Sequence, residues 1–269
     1  DPQFYQVYQQ MGQYWGNQPG TSGPVYVGAF VFMLFILGLF IVKGPIKWAL
    51  FAATVLSVLL SWGRNFMWFT DLFLDYMPMY AKFRTVASIL VIAEFTIPLL
   101  AMLALKELLQ NPKSLDEKVT VRERVINFIF FTPLGAVATK RRDYLWISFA
   151  LSAGCAFLFA IMPSVFFPDF ISLSEMEALK QIPSEYLGPL IANLREIRIS
   201  IFTADCWRSF FIIVLGTVIL LLALKKKLQT KYAVGAIIVL CLVDMWQVNK
   251  RYLYDDMFVD KIERDAPQQ

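Results

Sequence analysis

Residues 85–105 read TVASILVIAEFTIPLLAMLAL, 21 positions with one charge, Glu94. At about 1.5 Å per helical residue, a run of that length crosses the roughly 30 Å of a bilayer core. Working outward, five further stretches are comparably apolar: residues 25–42, 48–62, 144–164, 209–224 and 232–247. The second and sixth spans in chain order are short. Trp48, Trp62 and Trp246 border them, and such amphipathic rings suit a lipid–water boundary. The sequence therefore predicts an all-α fold, a polytopic integral membrane bundle of about six transmembrane helices with short interfacial helices in its outer and inner loops. Composition agrees: the 269 residues are 58% hydrophobic and 17% charged. Soluble domains sit nearer half apolar and a quarter charged.

Lys and Arg give the orientation. With the N-terminus outside, the inner loops hold 14 of the 25 basic residues against five acidic ones, a net of +9. The outer segments, counted with Asp244 at the outer end of span six, hold 11 basic and 15 acidic residues, a net of −4. The positive-inside rule then places both termini on the outer side. The expected organisation is an outer segment 1–24, spans one to three within 25–107 with an outer interfacial loop at 63–84, and a cytoplasmic interfacial loop 108–143. Span four follows at 144–164, an outer loop at 165–208, spans five and six within 209–247, and an outer segment 248–269. Within the cytoplasmic loop, Ser114 and Glu117 read as a capping box opening a helix whose VRERV residues face water. In the outer loop, Ser172 and Glu175 read as a second box, and Pro189 as the start of a further helix.

Several chemistries are excluded. There is no histidine, which removes Ser-His-Asp and Cys-His catalysis and histidine zinc sites from this chain. Cys155, Cys206 and Cys241 form no CxxC pair and read as buried thiols. No phosphate-binding glycine loop, P-loop lysine or metal-ligand spacing occurs, so no cofactor or metal is implied. A net charge of +4 is too modest for nucleic acid. The opening DPQFYQ lacks an initiator Met, so the chain is expected to be a piece of a longer polypeptide.

The polar residues of interest gather on the outer side. Residues 63–84, GRNFMWFTDLFLDYMPMYAKFR, place Asp71 and Asp75 at i and i+4 among apolar side chains, so one helix lying in the interface would present both carboxylates together. Arg64 precedes it, and Tyr80, Lys82 and Arg84 follow. Arg offers planar bidentate donors to phosphate, so the segment reads as a lipid-phosphate or substrate-binding rim. Ordinary snorkelling to lipid headgroups is the alternative. Glu94, halfway along its span, is expensive there unless it faces protein or a water-filled cavity. Asp244 lies near the outer end of span six, where it could reach water. Arg195 with Arg198, Asp205 with Arg208, and Lys250, Arg251, Asp255 and Asp256 add polar groups that could converge with the rim.

Across residues 14–106 the chain resembles the YfhO family of large bacterial membrane proteins, which is grouped with GT-C type glycosyltransferases. The resemblance rests on the proline–aromatic–Phe-Arg pattern at Pro78–Arg84, on the carboxylate-bearing span after it, and on KRYLYDDMFVD at 250–260. It implies an enzyme of the bacterial cytoplasmic membrane. Such an enzyme moves a sugar from a polyprenyl-phosphate donor at the outer face to a cell-envelope polymer or glycolipid. Arg84, with Arg64 or Lys82, would hold the carrier phosphate. Family members are several times longer, so the resemblance also implies that the catalytic carboxylate lies before Asp1 and an outer domain after Gln269. The expected partners are membrane lipids, the lipid-linked sugar donor and proteins at the outer face. Two other readings stay open: a non-catalytic membrane scaffold of an envelope complex, and a transporter relying on Glu94 and Asp244, for which no inverted repeat is visible.

Overall fold

The computed structural model describes residues 15–16, 25–78, 80–82, 86–130, 133–180 and 184–252. Among them the chain is all-helical. The helices are α1 Ala29–Ile41, α2 Pro45–Ser61, α3 Met67–Tyr76, α4 Val91–Gln110 and α5 Val121–Phe130, followed by α6 Arg141–Ile161, α7 Leu173–Leu179, α8 Ser184–Leu224 and α9 Thr230–Asn249.

The centre is α1, whose AFVFMLFILGLFI sequence is apolar on every side. A helix with no polar face can only be buried, and Phe30, Met33, Leu37 and Phe40 are all at most 5% exposed. Helices α4, α6, α8 and α9 pack around it, while α2 lies mainly against α4. Two glycines permit the closest approaches. A Cβ on Gly38 would come within 2.9 Å of Leu100 on α4, and one on Gly216 of α8 would run into the Phe30 ring. At the far end of α1, Phe40 stacks on Tyr144 of α6 with centroids 4.8 Å apart. A buried hydroxyl pair, Thr54 and Thr96 at 2.7 Å, ties α2 to α4.

Among the described residues, four helical stretches are long and apolar enough to cross a membrane: Ala87–Gln110, Arg141–Ile161, Tyr186–Leu224 and Thr230–Asn249. Only a third or less of the residues in their most apolar windows are buried. So much outward-facing apolar surface needs a lipid surround. The chain thus has the architecture of a helical membrane protein. Helix α1 is shorter, with 13 residues, and α2 joins α3 through a 106° bend.

Local structure departs from the sequence reading in four places. The inner capping box is formed by Thr120 and Glu123, not by Ser114 and Glu117. The Thr120 amide donates to Glu123 Oε2 at 2.9 Å and the Glu123 amide to Thr120 Oγ1 at 3.2 Å. Ser114 lies instead inside a 3₁₀ turn, Pro112–Asp116. Helix α5 turns only part of its VRERV stretch inward, Arg122 staying exposed. Glu123, Arg124 and Asn127 face the protein, while Val121, Val125, Phe128 and Ile129 are exposed, because the polar side can pair with α6 and the apolar side cannot. Third, α8 runs unbroken from Ser184 to Leu224 and includes Pro189 within it, so the second outer-loop helix and span five are one 41-residue helix. Pro189, the sixth residue of that helix, removes one backbone hydrogen bond near its start without ending it. Fourth, Glu94 is in the first turn of α4, a 3₁₀ segment Val86–Leu90 having preceded it.

Candidate functional site

Two groups of charge lie at the end of the bundle where α1 begins, and they differ in how completely they are satisfied. The first is built on Asp244 of α9, which is 1% exposed. That burial corrects the expectation that it reaches water. Its carboxylate accepts the Tyr26 hydroxyl at 2.8 and 2.9 Å and the Ala29 amide at 2.9 Å. Arg208 Nε stands 3.8 Å away. The Ala29 amide is the first of the orphan N–H groups at the start of α1, so the carboxylate also sits at the positive end of that helix dipole. Gly28, at φ +93°, turns the chain so that Tyr26 and Ala29 reach the same side chain. Arg208 lies over the Tyr26 ring at 5.7 Å and 3.5 Å from Asp205, and Asp205 forms a bidentate pair with Arg251. The chain of charge therefore joins the segment before α1 to α8 and α9.

Arg195 and Arg198 do not converge with that network. They hold the loop that precedes α8 onto that helix. Arg198, 1% exposed, donates to both Glu175 oxygens at 2.6 and 2.9 Å and to the Phe170 carbonyl at 2.8 Å. Arg195 donates to the Pro168 carbonyl. Ser172 and Glu175 form the expected capping box of α7, the Ser172 amide donating to Glu175 Oε2 at 2.9 Å and the Glu175 amide to Ser172 Oγ at 3.3 Å. Burial pushes the Glu175 carboxyl up, but the Arg198 guanidinium and the Ser172 amide outweigh it, holding the group below the ordinary carboxylate range. Trp15 packs into the same loop, its ring 4.4 Å from Phe170 and 5.9 Å from Phe202.

The second group is the rim. Helix α2 starts beside Arg141, at the far end, so its last turn brings Arg64 to the Asp244 end, and the 106° bend lays α3 across it. Thr70 fixes that turn by donating to the Gly63 carbonyl at 2.9 Å. Phe69 and Phe73 are half-buried on the packed side of α3, with ring centroids 5.2 Å apart. Asp71 and Asp75 share the exposed side with Trp68 and Tyr76. Arg64 and Lys82 are exposed, and neither they nor the two aspartates form an ion pair among the described residues. The Tyr80 ring packs 5.8 Å from Phe73, its hydroxyl buried without a hydrogen-bond partner among the described residues; burial pushes that phenol up. Arg84, Asp255 and Asp256 lie outside the described residues. Glu94, half-buried, makes no hydrogen bond or ion pair among the described residues.

Comparison with family models, with curated proteins and with solved structures finds no match to this chain. Function therefore rests on the side chains. Among the described residues no cluster of three or more Asp, Glu or Cys is arranged to hold a metal ion. The rim offers exposed cations beside an apolar, aromatic helix, which is the chemistry that holds a phosphate at the depth of lipid headgroups. Sequence reasoning missed Tyr26 and the start of α1, the partners that make Asp244 structural. Tyr26 precedes Asp244 by 218 residues, and no spacing rule links them.

Proposed function

We propose that this chain is the membrane-embedded part of a glycosyltransferase that takes its sugar from a polyprenyl-phosphate donor at the outer face of the bacterial cytoplasmic membrane and serves a cell-envelope polymer or glycolipid. On this reading the chain crosses the membrane six times, with both termini outside. The observation that supports it is the rim: Arg64 and Lys82 are exposed and without ion pairs among the described residues, on a segment laid across the end of α2. In such a reaction the carrier phosphate is both the handle of the bound donor and the leaving group. Cations fixed beside it lower the barrier by neutralising charge that develops as the sugar departs. The likeness of residues 14–106 to the YfhO family adds Arg84 to this set. These residues bind and neutralise phosphate, and base catalysis is not assigned to any of them.

The test replaces Arg64 and Arg84 singly with Ala in the full-length protein and measures sugar transfer from a polyprenyl-phosphate donor. A fall of about tenfold or more for each is expected if a charge-assisted bond to phosphate is lost. Full activity in both variants would remove the rim from the mechanism. A second reading, a membrane scaffold, is favoured by the exposed Trp68 and Tyr76 beside Asp71 and Asp75, a surface suited to a protein partner. It predicts a stoichiometric partner lost on Trp68→Ala, with envelope glycans unchanged when the whole chain is deleted. The sealed surroundings of Asp244 count against the transporter reading, which needs that carboxylate accessible.

A further inference from the structure

The opposite end of the bundle holds a charge cluster whose balance is unlike that around Asp244. Arg141 opens α6, is 3% exposed, and donates Nη2 to Glu123 Oε1 at 2.7 Å, with Nε 3.7 Å from Glu117. Lys47, in the first turn of α2, is buried within electrostatic reach of both Glu123 and Arg141. Arg124 of α5 shares the neighbourhood of Tyr144 with Glu123 and Arg141. Lys43 lies 4.0 Å from Glu117. Four cations therefore share two carboxylates, and the Glu117 side chain is itself 56% exposed.

Two donors here have no acceptor. Arg124 Nε and Arg141 Nη1 are both buried and make no hydrogen bond among the described residues. A buried donor left unmade costs roughly 1–3 kcal/mol, and more when charged. Arg198 and Arg208 keep such donors too, but beside matching carboxylates, whereas here cations are in excess and the two donors call for an anion. The first turn of α2 adds backbone amides with no side-chain cap, behind Gly44 at φ +102°. The level of the cluster follows from α5, whose outward residues Val121, Val125, Phe128 and Ile129 are 51–76% exposed and apolar. A ligand here has acyl chains alongside it.

We propose that this corner, between the start of α2, helix α5 and the start of α6, binds the phosphate of an anionic phospholipid from the adjacent leaflet. The guanidinium groups of Arg124 and Arg141 take the phosphate oxygens, Lys43 and Lys47 supply the remaining positive charge, and the lipid tails cover the apolar face of α5. A basic pocket between membrane helices at headgroup depth has the chemistry for this. The site is independent of the outer rim and of the reading given for it.

The experiment incubates the purified full chain in detergent with phosphatidylglycerol or with phosphatidylcholine and counts retained lipid by native mass spectrometry. Phosphatidylglycerol is expected to stay bound and phosphatidylcholine to be lost. Arg124→Gln should reduce retention about tenfold or more. Arg122→Gln, on the exposed side of the same helix, should leave it unchanged. Should Arg124→Gln not fold, Lys43→Gln at an exposed position gives the same reading, with a smaller loss. Equal retention of both lipids, or equal losses in Arg122→Gln and Arg124→Gln, would overturn the proposal. So would stabilisation by inorganic phosphate at matched ionic strength without any by phosphatidylglycerol, which would assign the same cations to a soluble phosphate.

Discussion

The Asp244 network and the rim share one end of the molecule and similar residue types, yet their surroundings differ sharply. Asp244, Arg208, Asp205 and Arg251 lie between packed helices, and each charge meets an opposite one. Arg64, Asp71, Asp75 and Lys82 stand exposed on a segment with one packed face and remain without ion pairs among the described residues. A buried charge is tolerated only when paired, so the first group joins elements together, Arg208 being held between two carboxylates at 3.5 and 3.8 Å although its Nε and Nη1 make no hydrogen bond among the described residues. An exposed charge needs no partner to persist, so the second contributes little to stability and stays available. The richer cluster is thus not the better functional candidate.

The comparison breaks most readily at its closed side. Asp244→Ala removes the acceptor for Tyr26 and Ala29 and one of the two carboxylates beside Arg208, which keeps only Asp205. A loss of about 3–5 kcal/mol is expected, read as a lower melting temperature in detergent, whereas Asp71→Ala should stay within about 0.5 kcal/mol. Equal effects would erase the distinction. Next, Arg198→Ala should cost about 3 kcal/mol by stranding Glu175. Because Glu175 is held below the ordinary carboxylate range, its contribution is complete above that range and is lost as pH falls through the depressed value. Protease sensitivity of the loop before α8 should therefore rise on acidification in the native chain, and be already high and flatter with pH in Arg198→Ala.

Gly216→Ala pushes a methyl into the Phe30 ring and should cost about 1–3 kcal/mol. Gly235→Ala, with open space around the added Cβ, should be neutral or stabilising by up to about 1 kcal/mol. Thermal melts of the two variants side by side test whether α1 is the packing centre. The smallest effect on stability belongs to the open side. Arg64→Ala with Lys82→Ala should leave the melting temperature unchanged while weakening capture of polyprenyl phosphate about tenfold, measured by lipid co-purification. A large melting shift would mean that these cations are structural after all.

The apolar runs and the lysine and arginine bias were enough to read an all-helical membrane protein with charge sorted to two ends, because a bilayer admits few other arrangements of such a sequence. The Ser172–Glu175 cap and the end of α3 before Pro78 were legible for a similar reason, since local backbone chemistry decides them within a few residues. Which face of α5 turns outward was not. VRERV reads as a wet surface until Glu123 finds Arg141 and Asn127 finds Tyr144, 18 and 17 residues away. Nor did spacing show that the two carboxylates of interest differ: Asp244 is sealed by residues far upstream, while Glu94 lies one turn into its helix. The sequence alone determined composition, period and local caps, and therefore the helices and their solvent. Only the tertiary structure decided which charges are neutralised across helices, because pairing over tens of residues, as between Asp205 and Arg251, depends on packing that no local pattern encodes.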